Sequence, residues 1–149
     1  MKLYLGADHQ GFAFKEQLKS WLTAQNYQLT DLGALRHDPQ DDYPQYALKV
    51  AQKVSQDPGS RGVLLCASGG GMVITANKVK GIRAVEARNA AEAKHARVHN
   101  NANVIALASQ WLDLAAAKKV LQVFLQTDFP GEARHVRRLA QISDYEQHH

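Results

Sequence analysis

Val63–Lys78 reads VLLCASGGGMVITANK: an apolar run, the only cysteine of the chain, then a serine and three consecutive glycines. The run has the length and the bounding turn signal of a buried strand, and the segment after the glycines begins like a helix. A strand that passes through a glycine turn into a helix is one unit of an α/β fold. Working outward, the same alternation recurs. Apolar segments Lys2–Gly6, Gln28–Gly33, Gly62–Ala67, Ile82–Glu86 and Asn103–Ala108 are separated by longer stretches of helical character. Phe14, Leu18 and Leu22 recur at steps of four within Phe12–Gln25, with Asn26 as the terminator. Pro44–Gln56 puts Ala47, Val50, Ala51 and Val54 on one face, and Asn89–Val98, Leu112–Gln126 and Glu132–Gln147 complete the helical set. Strands of nearly continuous apolar character, alternating with helices, predict a five-stranded parallel sheet covered on both faces: a doubly wound α/β domain.

At 149 residues the chain has the size of one domain, and its longest linker, Gly33–Pro44, is too short to hold another; residues 1–149 are read as a single domain. A single cysteine excludes an internal disulfide, and no apolar run is long enough to span a bilayer. MKLYLGADHQG enters strand-like sequence without a signal segment, so the expected location is the cytoplasm. The net charge of +4 is dispersed apart from the cluster ARHVRR at Ala133–Arg138, which suits a small anion better than nucleic acid. Neither nucleic acid nor membrane is an expected partner.

In a sheet of this kind ligands gather on the loops at the strand ends. Backbone N–H groups of Gly69–Gly71, at the start of a helix, would cradle an oxyanion and lower the pKa of Cys66. A small core thiol before a tight turn fits the same letters. GADHQG places Asp8 and His9 after the first strand, as proton-transfer or phosphate groups or, for Asp8, as a helix cap. His99 and Asn100 precede the fifth strand and are expected at the mouth of the sheet. Arg134 and Arg138, one helical turn apart, form a possible phosphate grip. Neither a Walker loop nor a GxGxxG fingerprint is present, and His95 with His99 lacks a third metal ligand, so nucleotide and metal sites are not expected.

GADHQGFAFK, DLG, DYPQYA, CASGGGMVITANKVKGIRA, HNNANVIALAS and ARHVRRL occur in one order across nearly the whole chain. This set resembles the ribose-5-phosphate isomerase B family and its relatives acting on galactose 6-phosphate and allose 6-phosphate. The resemblance implies a Rossmann-like α/β/α sandwich and a metal-free, cofactor-free aldose–ketose isomerase, working as a homodimer with sites between subunits, with dimers pairing into tetramers in some cases. It implies Cys66 as the base, since Met72 occupies the position where another branch carries a glutamate. It further implies Asp8 near the sugar oxygens, His99 in ring opening and Ser68 as an assisting hydroxyl. Ala67, Gly69, Gly70 and Gly71 would line the enediolate pocket. His9, Arg134 and Arg138 match phosphate contacts, and Tyr43 and Asn100 match sugar contacts.

The cysteine branch commonly reads CGTGIGMS where this chain has CASGGGMV. Ala67, Gly70 and Val73 therefore bear on which sugar is used, and Arg88 and Asn89 stand on a loop that could face it. Ribose 5-phosphate is the expected substrate. The alternatives are another pentose or hexose phosphate, a noncatalytic sugar-phosphate-binding module, and a Cys66–His99 acyl-transfer enzyme.

Overall fold

The computed structural model describes all of residues 1–149, in the order β1 (Lys2–Ala7), α1 (Phe12–Ala24), β2 (Gln28–Asp31), α2 (Tyr43–Gln56), β3 (Arg61–Cys66), α3 (Gly70–Ala76), β4 (Ala84–Glu86), α4 (Ala90–Asn100), β5 (Val104–Ala108), α5 (Leu114–Gln126) and α6 (Ala133–His148). The five strands form one sheet in the order β2-β1-β3-β5-β4, and every pairing is parallel. This is the architecture the alternating pattern predicts.

Period-two alternation in the central strands sorts their side chains between two helical layers. Leu3, Leu5, Val63, Leu65, Ile105 and Leu107 join α1, α4 and α5 in one buried cluster. Tyr4, Leu64, Cys66, Val104 and Ala106 face α2 and α3 in the other. The sheet is buried on both faces, which is why β1, β3 and β5 read as unbroken apolar runs. Phe14, Leu18 and Leu22 are buried on α1, each worth about 1.5–3 kcal/mol against exposure. Asn26 leaves the helix at φ 65°, the left-handed region that asparagine tolerates.

Two features shape the site. Lys15 is completely buried on α1, where its ammonium donates to both oxygens of Asp31 (2.8 and 2.7 Å) and to the Ala34 carbonyl (2.6 Å). It thereby pins the start of the Gly33–Pro44 loop to the sheet. Burial opposes ionisation of Asp31, but the bonds from Lys15 and Lys19 outweigh it and hold the carboxyl below its ordinary range. The second feature is α6, which buries only His135 along its length and leaves Val136, Ile142 and Tyr145 exposed. No helix is long and apolar enough to cross a membrane.

Candidate active site

In a parallel sheet all the strand-to-helix loops lie at one edge and all the helix-to-strand loops at the other. β1 and β3 are neighbours, with Ala7 opposite Leu65, and Cys66 is opposite Ala108 of β5. Asp8 and Cys66 therefore leave adjacent strands at the same carboxyl edge, and the negative charge of Asp8 acts on the thiol.

Asp8 is 6% exposed, and its Oδ1 accepts from the backbone N–H groups of Gln10 (3.0 Å) and Gly11 (3.1 Å). It thus closes the turn ahead of α1; the N-cap itself is Gly11, without a side-chain cap. Burial raises the pKa of Asp8, and the two N–H bonds offset this only in part. His9 bonds Asp41 twice: its backbone N–H donates to Oδ1 at 3.0 Å, and its ring Nδ1 lies 2.7 Å from the same oxygen. That bond is the main cause raising the imidazole's pKa. Burial works against the Asp41 carboxylate, but His9 more than compensates and holds it low.

Cys66 is buried, and its Sγ accepts from the Gly69 N–H at 3.0 Å. Gly69 takes φ +85°, a conformation that turns the chain from β3 into α3 and that side chains resist. Gly71 is required for another reason: a Cβ there would lie 2.5 Å from Cζ of Tyr43, so the tyrosine ring rests on bare backbone. At Gly70 a Cβ would meet nothing within 4 Å. Ser68 is exposed, Ala67 is partly buried, and Met72 is completely buried. The expected lowering of the Cys66 pKa is corrected by the structure. Burial raises it, Asp8 raises it further, and the N–H groups of Gly69, Ser68 and Met72 do not reverse the direction.

His99, Asn100, Arg134 and Arg138 form a second group elsewhere. His99 and Asn100 end α4, only a few residues before Val104 begins β5, and so stand at the amino edge of the sheet. The length of β5, about 13 Å at 3.3 Å per residue, separates that level from Ala108 beside Cys66. The expectation that the residues before the fifth strand reach the mouth of the sheet is therefore overturned within one chain. The reason is that a loop entering a parallel strand lies opposite the loops leaving its neighbours. Cys66 and His99 of the same chain are thus not placed as an acyl-transfer pair. No hydrogen bond or ion pair joins the two groups.

The His99 ring lies between His95, at 3.9 Å between centroids, and His135, stacked at 4.5 Å and 18°. Desolvation, then repulsion from His95, His135 and Arg134, lowers its pKa. The stacked rings of His99 and His135 do not converge their nitrogens, and no group of three or more His, Cys, Asp or Glu side chains is arranged to hold a metal ion. Arg134 pairs with Glu132 at 3.2 Å, while no ion pair holds Arg138. Asn89 caps α4 by accepting from the Glu92 N–H at 2.8 Å, and Arg88 lies 3.5 Å from Glu92, so capping engages both residues that the sequence set toward the sugar.

Asp41, His135 and Lys15 belong to these constellations without being singled out by sequence. The acidic run DPQDDYP is the one signal for Asp41, and nothing local marks the other two.

A family model described as Ribose/Galactose Isomerase matches residues 3–142. The chain belongs to that family. Ribose-5-phosphate isomerase B of Mycobacterium tuberculosis is 38% identical over 149 residues, covering 100% of this chain and 92% of the relative. A probable ribose-5-phosphate isomerase B of Mycoplasma pneumoniae is 39% identical over 97% of this chain and 94% of its own. Among solved structures, the Mycoplasma genitalium ribose-5-phosphate isomerase B with bound ribulose 5-phosphate superposes with a TM-score of 0.94 at 35% identity, covering 98% and 96% of the two chains. The Clostridium thermocellum enzyme gives 0.94 at 35% identity over 99% and 98%. Within the ribose/galactose isomerase family this protein is an aldose–ketose sugar-phosphate isomerase.

Proposed function

We propose that the protein interconverts ribose 5-phosphate and ribulose 5-phosphate through a cis-enediolate, with Cys66 as the carbon base. The observation that carries this is the Gly69 N–H on the Cys66 sulfur, beside Asp8, at the end of two adjacent strands. The printed names of the relatives, and the ribulose 5-phosphate bound in the Mycoplasma genitalium structure, support the pentose.

Ring opening exposes an aldehyde that acidifies the C2 proton. Only a thiolate removes that proton, so the resting thiol of Cys66 must first lose its own. Charge then moves to the carbonyl oxygen, where the N–H groups of Gly69–Gly71 and the Ser68 hydroxyl stabilise it. Asp8 passes a proton between O1 and O2, and return of the carbon proton at C1 completes the ketose. Ala67 and Tyr43 bound the sugar, and His9, biased by Asp41 toward its cationic form, meets the phosphate.

His99, Asn100, Arg134 and Arg138 serve the site of a second copy. The separation of the two groups supports this, as do the uncovered apolar residues of α6 and of Ile74 and Trp111. In the dimer His99 opens the furanose ring and the arginines hold the phosphate, fixing the sugar for proton transfer. A reduced lone thiol suits the cytoplasm.

The open space at Gly70 favours a second reading, a longer hexose 6-phosphate. Turnover of ribose, allose and galactose phosphates in deuterated water tests both. Fastest conversion of ribose 5-phosphate, with deuterium entering C1 of the product, is expected. Preference for a hexose phosphate would replace the substrate, and binding without deuterium entry would leave a binding module.

A further inference from the structure

The amino edge of the sheet holds a cleft of about 420 Å³ that none of the chemistry above uses. It lies between the turn after α2, the start of β4 and the turn after α4, and its polar walls include Ser60, Arg61, Gly81, Arg83, Asn101 and Asn103. Val54 is its one apolar residue, and no carboxylate lines it.

The donors facing this space are under-used. Ser60 is 3% exposed, yet its hydroxyl has no hydrogen-bond partner, and the buried Nε of Arg61 has none either. Arg61 otherwise donates from Nη1 to the carbonyls of Ser60 (3.0 Å) and Gly59 (3.4 Å). Arg83 donates from Nε to Asn101 O at 2.9 Å and from Nη1 to Gly81 O at 3.3 Å. Neither guanidinium has an ion-pair partner. Behind them Arg97 is 2% exposed and donates to Thr127 O from Nε and to Asn101 Oδ1 and Ala102 O from Nη1. Burial lowers the pKa of all three arginines, and repulsion between guanidiniums adds to it at Arg61 and Arg97, taking Arg97 down to about 10; Asp128 and Glu146, which accepts from the Gly81 N–H at 3.0 Å, offset this only in part.

Half-buried cations with no carboxylate in contact are costly, and orphaned buried donors add to the cost. A water molecule satisfies a donor but leaves the charge. A phosphoryl group does both, because guanidinium forks match its oxygens. We propose that this cleft is a second anion site, which takes inorganic phosphate or a small phosphate monoester on Arg61, Arg83 and Ser60, at the edge of the sheet opposite Cys66.

The test uses the full-length, isotope-labelled protein and site-resolved amide NMR shifts. It is titrated with inorganic phosphate and with glycerol 1-phosphate, against chloride at matched ionic strength. Saturable shifts at Ser60, Arg61, Gly81 and Arg83 are expected with both phosphates and not with chloride. Tighter binding of the monoester identifies a metabolite site, and tighter binding of phosphate a site for the free ion. Arg61→Gln should weaken saturation on the order of tenfold while leaving the shifts of Gly69–Gly71 unchanged. Arg61→Lys, which keeps the charge and loses the fork, should fall between. Shifts confined to Cys66–Gly71 and α6, equal shifts with chloride, or saturation indifferent to Arg61→Gln would overturn the proposal.

Discussion

The loops at the carboxyl edge and the ends of α4 and α6 both carry ionisable side chains, in different physical states. At the carboxyl edge, Asp8 and Cys66 are buried, tied to backbone N–H groups and biased toward their protonated forms. Beyond the amino edge, Arg134 and Arg138 are exposed, and His99 is biased toward its neutral form. The first region is tied into the fold, and the second is held out from it. Under the proposed function, chemistry is prepared at the first and a second copy completes it with the other.

The strongest attack on that division is Cys66→Ala. Loss of the base should lower kcat roughly a thousandfold with little change in KM, read by ketose formation from ribose 5-phosphate. Near-normal turnover would remove Cys66 from the mechanism. A sharper test mixes two inactive chains. His99→Asn alone should cost roughly a hundredfold on the cyclic sugar. Unfolded and refolded together in equal amounts, Cys66→Ala and His99→Asn chains should recover about a quarter of wild-type activity. Half of the dimers are then mixed, and each mixed dimer has one intact site if the groups combine across a two-fold axis. No recovery would place both groups in one chain.

Gly71→Ala, by forcing Tyr43 off the backbone, should destabilise the protein by about 1–3 kcal/mol in urea unfolding. Gly70→Ala, in open space, should stay within about 1 kcal/mol of wild type. Equal effects would show that Tyr43 does not rest on the loop.

The thiol also makes opposed predictions for rate and stability. Below the pKa of Cys66, kcat/KM should rise about tenfold per pH unit as thiolate forms. Because that pKa is raised on folding, the native state holds its proton when the unfolded chain has released one. The stabilisation is complete below the unfolded thiol's pKa and is lost as pH rises through the folded value. Urea unfolding of wild type and Cys66→Ala across the alkaline range checks the sign. The smallest effect is expected from Asp41→Asn, which frees His9 and should raise KM several-fold at neutral pH with kcat nearly unchanged.

Much of this was legible in the sequence where the cause is local. The steps of Phe14, Leu18 and Leu22, the stop at Asn26 and the passage from β3 through glycine into α3 are all fixed by nearest neighbours and backbone sterics. The site was legible as a list of residues, less so as a geometry. His99 is close to β5 in sequence, but the edge it occupies depends on every strand being parallel. The pKa of Cys66 depends on a contest between N–H dipoles, visible in the glycines, and desolvation, which exists only once the layers close. Nothing local marks Lys15, because its partners, Asp31 and the Ala34 carbonyl, arrive from another part of the chain.

That buried lysine also makes the native enzyme selective toward amine reagents. With no exposed surface, Lys15 is shielded from acylation while its neighbour Lys19, 38% exposed, is open to it. Acylation of Lys15 requires its ammonium to leave Ala34, which releases the loop leading to Asp41 and Tyr43. The time course of that one modification, followed by peptide mass, becomes a clock for how often the loop comes undone.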